Sequence, residues 1–231
     1  GEGAWRRVHS MTTDGDLYPT HGLGPVAQCI EINRGNAFET LVSMGTKTRG
    51  LHLYAENRFG PQSSQAAERF VLSDVVTTLL RTVNEETVVV THDTNSPRPY
   101  SRDYLVQGTR GIARKYPEPR IYIEGRSEPH RWDPVDAYLE EFDHPVWRQL
   151  EEQSRGAGHG GMDFIEDFRL VEALRKGRPM DSDVYDAAML SAVVELSGRS
   201  IARGSEPLRF PDFTRGGWRQ PRPLHSMRLK Q

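Results

Sequence analysis

The chain has 231 residues, enough for one large domain or two small ones, with 36% hydrophobic and 27% charged residues. Its formal net charge of −2 comes from both signs spread along the chain, so no basic block suggests nucleic acid and no acidic tail suggests a solvating arm. The longest apolar runs are too short to span a membrane.

Cys29 is the single cysteine; it cannot form an internal disulfide and reads as a small buried hydrophobe. The sequence starts at Gly1 without a charged-then-apolar leader, which leaves export and compartment open. The opening "GEGAWRRVH" has two glycines of a phosphate fingerprint, but Arg6 stands where the third belongs and no strand precedes it, so a dinucleotide reading is rejected there. No Walker motif, nucleophile elbow or thiol pair occurs.

Up to about residue 125 the pattern is mostly that of strands. A helix is predicted first, from Pro25 to about Ile32, with Val26, Cys29 and Ile30 at helical spacing and Pro25 in the first turn. "AFETLVSMGT" (37–46) alternates Phe38, Leu41 and Met44 with polar residues, imperfectly. "RFVLSD" (69–74), "TTLLRTV" (77–83) and "ETVVVTHD" (86–93) are short, β-branched and closely spaced, as in antiparallel hairpins. "YLVQGTRGIARKY" (104–116) turns between Gly108 and Gly111, and "RIYIEG" (120–125) closes the run.

Beyond that the period becomes helical. "DPVDAYLEEF" and "HPVWRQLEEQSR" each carry a proline near a helix start. "GMDFIEDFRLVEALRKG" (161–177) sets Phe164, Phe168, Val171 and Leu174 on one face, with Gly177 and Pro179 as its stop. "DVYDAAMLSAVVELSGRSIA" (183–202) is apolar over much of its surface, which predicts a helix wedged between other elements. Strands followed by helices define the α+β class: an open, mostly antiparallel sheet with helices packed on one face. The βαβ alternation of a dinucleotide-binding fold is missing.

Three clusters carry chemistry. In "GDLYPTHGLGP" (15–25), Tyr18 and His21 both move protons, Pro19 restricts the backbone between them, and glycines permit close approach to a ligand. A helix starting near Gly24 would aim free N–H groups at this loop and stabilise an oxyanion. The bland alternative is a helix-entry loop whose Tyr and His bond only backbone. "HDTNSPRPYSR" (92–102) follows a strand and holds His92, Asp93, Arg98, Tyr100 and Arg102, with two prolines limiting Arg98; alone it reads as a charged surface turn. In "GAGHGGMDF" (156–164), His159 and Asp163 are four apart and share a face if the helix starts by His159. Such a pair could orient a base or bind a metal, but no further ligand motif accompanies it and no metal is expected.

The phrases "AWRRVHS…GDLYPTHGLGPVAQC", "HDTNSPRPYSR…QGTRGIARKYP", "IYIEG", "GHGGMDFI" and "DVYDAAMLSAVVELSGRSIA…PDFTRGGW" together resemble glycoside hydrolase family 109, over nearly the whole chain and in order. These are NAD-dependent α-N-acetylgalactosaminidases and their relatives, within the glucose-fructose oxidoreductase and inositol dehydrogenase superfamily. The resemblance implies a two-domain enzyme whose N-terminal Rossmann domain, absent from this chain, holds NAD. Residues 1–231 would then be the substrate-binding and oligomerisation domain, with cofactor-binding residues unassigned. By motif, the substrate contacts fall on Arg6, on Tyr18, Pro19, Thr20 and His21, and on Tyr100. His159 takes a supporting place.

The chemistry implied is oxidation at C3 of the sugar, loss of the C2 proton, elimination of the anomeric group, addition of water and return of the hydride, with net hydrolysis. His21 and Tyr18 would hold the C3/C2 region, one of them transferring the proton. Two other readings stand beside this one: a sugar dehydrogenase of the same superfamily, and a non-catalytic carbohydrate-binding module. A glycoside is the expected partner, together with a second copy of the chain docked on the sheet face.

Overall fold

The computed structural model describes residues 4–221. They fall into two compact units, one of residues 4–100 with 185–221 and the other of residues 101–184.

The first unit begins with a 3-10 turn, Ala4–Arg6, then α1 (Arg7–Thr12) and α2 (Thr20–Cys29). Next come β1 (Phe38–Gly45), α3 (Gly50–Phe59), β2 (Val75–Thr82) and β3 (Thr87–Asp93). In β2 every second residue is buried, which fixes its register with one face inward. Pairs such as Leu41↔Leu80 and Leu80↔Val88 then meet the same core. Buried Leu23 and Ala27 of α2 pack on this face with Leu41, Leu80, Val88 and Val90. Full burial of each such large aliphatic side chain contributes about 1.5–3 kcal/mol.

The second unit opens with a meander of β4 (Leu105–Gly108), β5 (Gly111–Arg114), β6 (Arg120–Ile123) and the short β7 (Asp133–Pro134). A 3-10 turn, Val135–Tyr138, leads into α4 (Leu139–Phe142). Helix α5 (Pro145–Ser154) has its proline at the start and His144 as N-cap, whose Nδ1 accepts the Val146 N–H at 3.2 Å. Helix α6 (Met162–Lys176) ends on left-handed Gly177, as the sequence predicts. Phe164 and Phe168 stack along it, but Phe168, Val171 and Leu174 of the expected apolar face are exposed.

The chain then completes the first unit with α7 (Val184–Ala202) and β8 (Leu208–Arg209). Strand β8 pairs antiparallel with β1, giving the order β3-β2-β1-β8. Helix α7 buries Asp186, Met189, Val193, Leu196, Ser197 and Ser200, half-buries Leu190, Ala192 and Val194 beside them, and exposes Ala187, Ser191, Glu195 and Arg199 along one line, so it is covered over a broad face and not wedged all round. Its polar stripe residues replace missing partners elsewhere. Asp186 takes both guanidinium nitrogens of buried Arg34 (2.9 and 2.5 Å) and Asn33 Nδ2 (3.0 Å). Ser200 Oγ accepts the Ser43 N–H at 2.9 Å.

Three further sequence expectations are corrected. Residues 69–74 form no strand: Val71 and Leu72 donate their N–H groups to the Ser10 carbonyl, and Ser73 donates to Asp14, so their partners are a short helix and a loop. Helix α2 starts at Thr20 and not at Pro25, which lies inside it and removes one rung of the hydrogen-bond ladder. Cys29 is exposed, because the buried stripe of α2 runs through Leu23 and Ala27 and a residue two further on points away from it; partial desolvation still raises its thiol above the ordinary value.

Candidate active site

The loop from Asp14 to Pro19 is keyed into the first unit one residue at a time. The Asp14 carboxylate accepts the Ser73 N–H (2.8 Å) and hydroxyl (3.1 Å). Gly15 lies against α7 so closely that a Cβ there would sit 2.9 Å from Ser197 Oγ and 3.0 Å from the Gly198 nitrogen. The Asp16 N–H donates to Ser197 Oγ at 2.8 Å, and the Tyr18 N–H donates back to Asp16 Oδ1 at 3.2 Å. Buried Pro19, with φ −71°, then opens α2, its carbonyl accepting from Gly22 and Leu23. Gly22 faces Val90, where an added Cβ would lie 3.7 Å from that side chain.

This scaffold places Tyr18 and His21 as a stacked pair, ring centroids 4.7 Å apart and planes 20° from parallel. Both are exposed, as is Thr20 beside them. The Arg6 guanidinium lies 5.7 Å from the Tyr18 ring centroid and 4.5 Å from that of Trp5. The same edge carries Trp5 and His9 in a T-shaped contact at 6.1 Å. Arg6, Tyr18 and His21, separated in sequence by a helix and a loop, are therefore one cluster. A phenol, an imidazole and a guanidinium facing solvent can hold hydroxyl groups and move a proton.

Asp16 was not among the residues that sequence reasoning selected. It is 1% exposed, and its Oδ2 is buried without a hydrogen-bond partner among the described residues. Burial raises its pKa to about 6, with the Tyr18 N–H pulling the other way. An Asp two residues before a Tyr that precedes Pro is the pattern of an Asx turn, and that signal was present in the sequence.

The second cluster behaves differently. Arg98 is held within its own loop, by the Asp93 carboxylate at 3.1 Å and by the carbonyls of Asp93 (2.7 Å) and Pro99 (3.1 Å). His92 faces the core, and burial lowers its pKa against the opposing charge of Asp93. Tyr100 closes the segment with its side chain exposed. In the second unit, His159 Nδ1 meets both carboxylate oxygens of Asp163, at 2.9 and 3.0 Å. The pair forms although the backbone at His159 is left-handed (φ 49°) and the regular helix starts only at Met162. Gly158 leaves room for it: a Cβ there would fall 2.2 Å from Asp163 Oδ2.

The fold is similar to that of solved oxidoreductases. A levoglucosan dehydrogenase solved in complex with NADH and levoglucosan matches 91% of this chain and 54% of its own, with a TM-score of 0.58 and 16% identity. An oxidoreductase from Agrobacterium radiobacter, solved with NAD+, L-tartaric acid and magnesium, matches 91% of this chain and 54% of its own at a TM-score of 0.51 and 16% identity. The likeness is one of fold, α+β with open antiparallel sheets, which here are two of four strands each and not the single sheet the sequence predicts.

Within it the sequence is more specific. The family described as glycosyl hydrolase 109, C-terminal domain, matches residues 1–220, and the chain belongs to that family. An α-N-acetylgalactosaminidase of Tannerella forsythia is 49% identical over 95% of this chain and 47% of its own length. A glycosyl hydrolase family 109 protein of Parabacteroides distasonis is 48% identical over the same shares. The chain therefore spans about half the length of the curated relatives it matches.

Proposed function

We propose that this chain forms the sugar-binding half of a glycoside hydrolase that releases terminal N-acetylgalactosamine, or a related sugar, by an NAD-dependent route. The observation that carries the reading is the exposed Tyr18–His21 stack with Arg6 beside it, in a chain of family 109. NAD is the proposed hydride carrier, but the described residues do not fit it as a cradle. Every strand pair in both sheets is antiparallel, so the strand–turn–helix that grips a pyrophosphate is missing among them. That cradle would lie outside this chain.

This chain's own residues orient the sugar and handle its protons. Tyr18 and His21 face the C3 hydroxyl and the C2 carbon, where the phenol donates a hydrogen bond to the C3 oxygen and the imidazole accepts the C2 proton. Arg6 and Tyr100 hold other hydroxyls. Pro19 and Thr20 set the first turn of α2 under the pair.

The test carries this chain in place of the matching segment of its Tannerella forsythia relative and measures p-nitrophenol release from the p-nitrophenyl N-acetylgalactosaminide. Release that depends on added NAD, with no net NADH, supports the reading. The fold likeness to levoglucosan dehydrogenase favours a second one, a sugar dehydrogenase. Stoichiometric NADH without p-nitrophenol would establish that instead.

The sheet supplies a proposed partner surface. On its outer face Val42, Leu79 and Val89 lie side by side across β1, β2 and β3, with Leu79 and Val89 exposed. Such an apolar row on an open face suits a second copy of the chain in a two-fold dimer.

A further inference from the structure

We infer that Asp16 is a positioning residue: it ties the Tyr18–His21 pair to α7 through its own backbone and its side chain. The tie has three links. Ser197 Oγ, fully buried on α7, takes the Asp16 N–H at 2.8 Å. Asp16 Oδ1 takes the Tyr18 N–H at 3.2 Å. Tyr18 in turn lies face to face on His21, 4.7 Å between centroids. Gly15, packed on Ser197 and Gly198, leaves the loop no room to slide along the helix.

The location of Asp16 is not one that stability alone would select. A carboxyl that is 1% exposed with a buried, unpartnered oxygen destabilises the fold. A hydrophobic residue would fill the same place without a buried carboxyl, yet it has no acceptor for the Tyr18 N–H, and a hydroxyl would hold the turn ahead of Pro19 more weakly than the carboxylate does. Unfavourable groups of this kind persist where they hold functional geometry.

The inference rests on Tyr18 and His21 being the sugar-facing pair, but its first readout needs no turnover. In the isolated chain, the Tyr18 ring current should displace the imidazole proton resonances of His21, and Tyr18→Leu sets the zero of that displacement. Asp16→Ala should lose more than about half of it while the core methyls of Leu41, Leu80 and Val193 stay in place. Asp16→Asn, which keeps an acceptor at Oδ1, should retain it. Where Asp16→Ala does not fold, Ser197→Ala removes the other anchor and should reduce the displacement likewise.

In the hybrid enzyme, Asp16→Ala should lower kcat on the order of 10–100-fold with KM within about twofold, and Asp16→Asn should restore it. Retention of the displacement in Asp16→Ala or Ser197→Ala, or its loss in Asp16→Asn, overturns the inference. Loss of the displacement with unchanged turnover refutes the catalytic reading of the pair and leaves the positioning role standing.

Discussion

Replacing Asp16 by Asn should make the protein gain stability as pH rises, relative to the unsubstituted chain. The carboxyl is buried, and burial lifts its pKa from the ordinary 3.8 to about 6. It therefore binds a proton more tightly folded than unfolded. Between about pH 4 and pH 6 the folded state holds the extra proton, so stability falls as pH rises across that window, and the ionised group carries the full penalty above it. At about 1.4 kcal/mol for each pH unit of displacement, the penalty is about 3 kcal/mol. The Asp16→Asn variant has no charge to bury, but its amide nitrogen takes the place of an oxygen that has no partner, an offset of about 1–3 kcal/mol that does not vary with pH. The difference between the two proteins isolates the charge. Urea denaturation at steps from about pH 4 to pH 8 should show Asp16→Asn gaining about 3 kcal/mol on the unsubstituted chain, nearly all of it below about pH 7. A difference that is flat with pH, or that grows in the opposite direction, would refute the claim that Asp16 is buried as a charge.

Asp186→Ala should destabilise the first unit by about 3–5 kcal/mol in denaturant titration, because it strands the buried Arg34 guanidinium; a loss below about 1 kcal/mol would show that pair to be solvated. Gly161 has φ +100°, and a Cβ there would meet Ser154 Oγ at 2.9 Å and its carbonyl at 3.1 Å. Gly161→Ala should therefore cost the second unit about 1–3 kcal/mol, read by the same titration, and an unchanged midpoint would contradict the close α5–α6 approach. Leu79→Glu on the open sheet face should turn a dimer into a monomer in sedimentation experiments without loss of folded structure; a monomeric unsubstituted chain at micromolar concentration would remove the proposed interface.

The strands were legible in part. In β2 the doublets Val75-Val76, Thr77-Thr78 and Leu79-Leu80 hide which face is inward, and the strand shows in the letters only as a short β-branched run close to its neighbours. The same pattern misleads at residues 69–74, whose backbone bonds go to Ser10 and Asp14, partners that a local window does not contain. Helix α3 was missed because "GLHLYAENRF" buries only Ala55 and has no apolar stripe to reveal it. The start of α2 is hidden because Pro25 carries a first-turn signal of its own, while Pro19 occupies the cap position.

At the site, Tyr18 and His21 were readable as residue types, and their three-residue spacing becomes a stack once α2 starts at Thr20. The approach of Arg6 was not readable, since α1 and a loop intervene. Nor was the burial of Asp16, which depends on Ser197, 181 residues further along the chain. Composition treats an aspartate as solvated, and only a tertiary contact of that range reverses it.

The central claim is that His21 transfers a proton on a sugar held by its neighbours. The most direct measurement is the steady-state kinetics of His21→Ala in the NAD-supplied hybrid enzyme, with p-nitrophenyl N-acetylgalactosaminide as substrate. A fall in kcat of about 10²–10⁴-fold with KM nearly unchanged is the expected result. A raised KM at unchanged kcat would make His21 a binding group only and contradict the account.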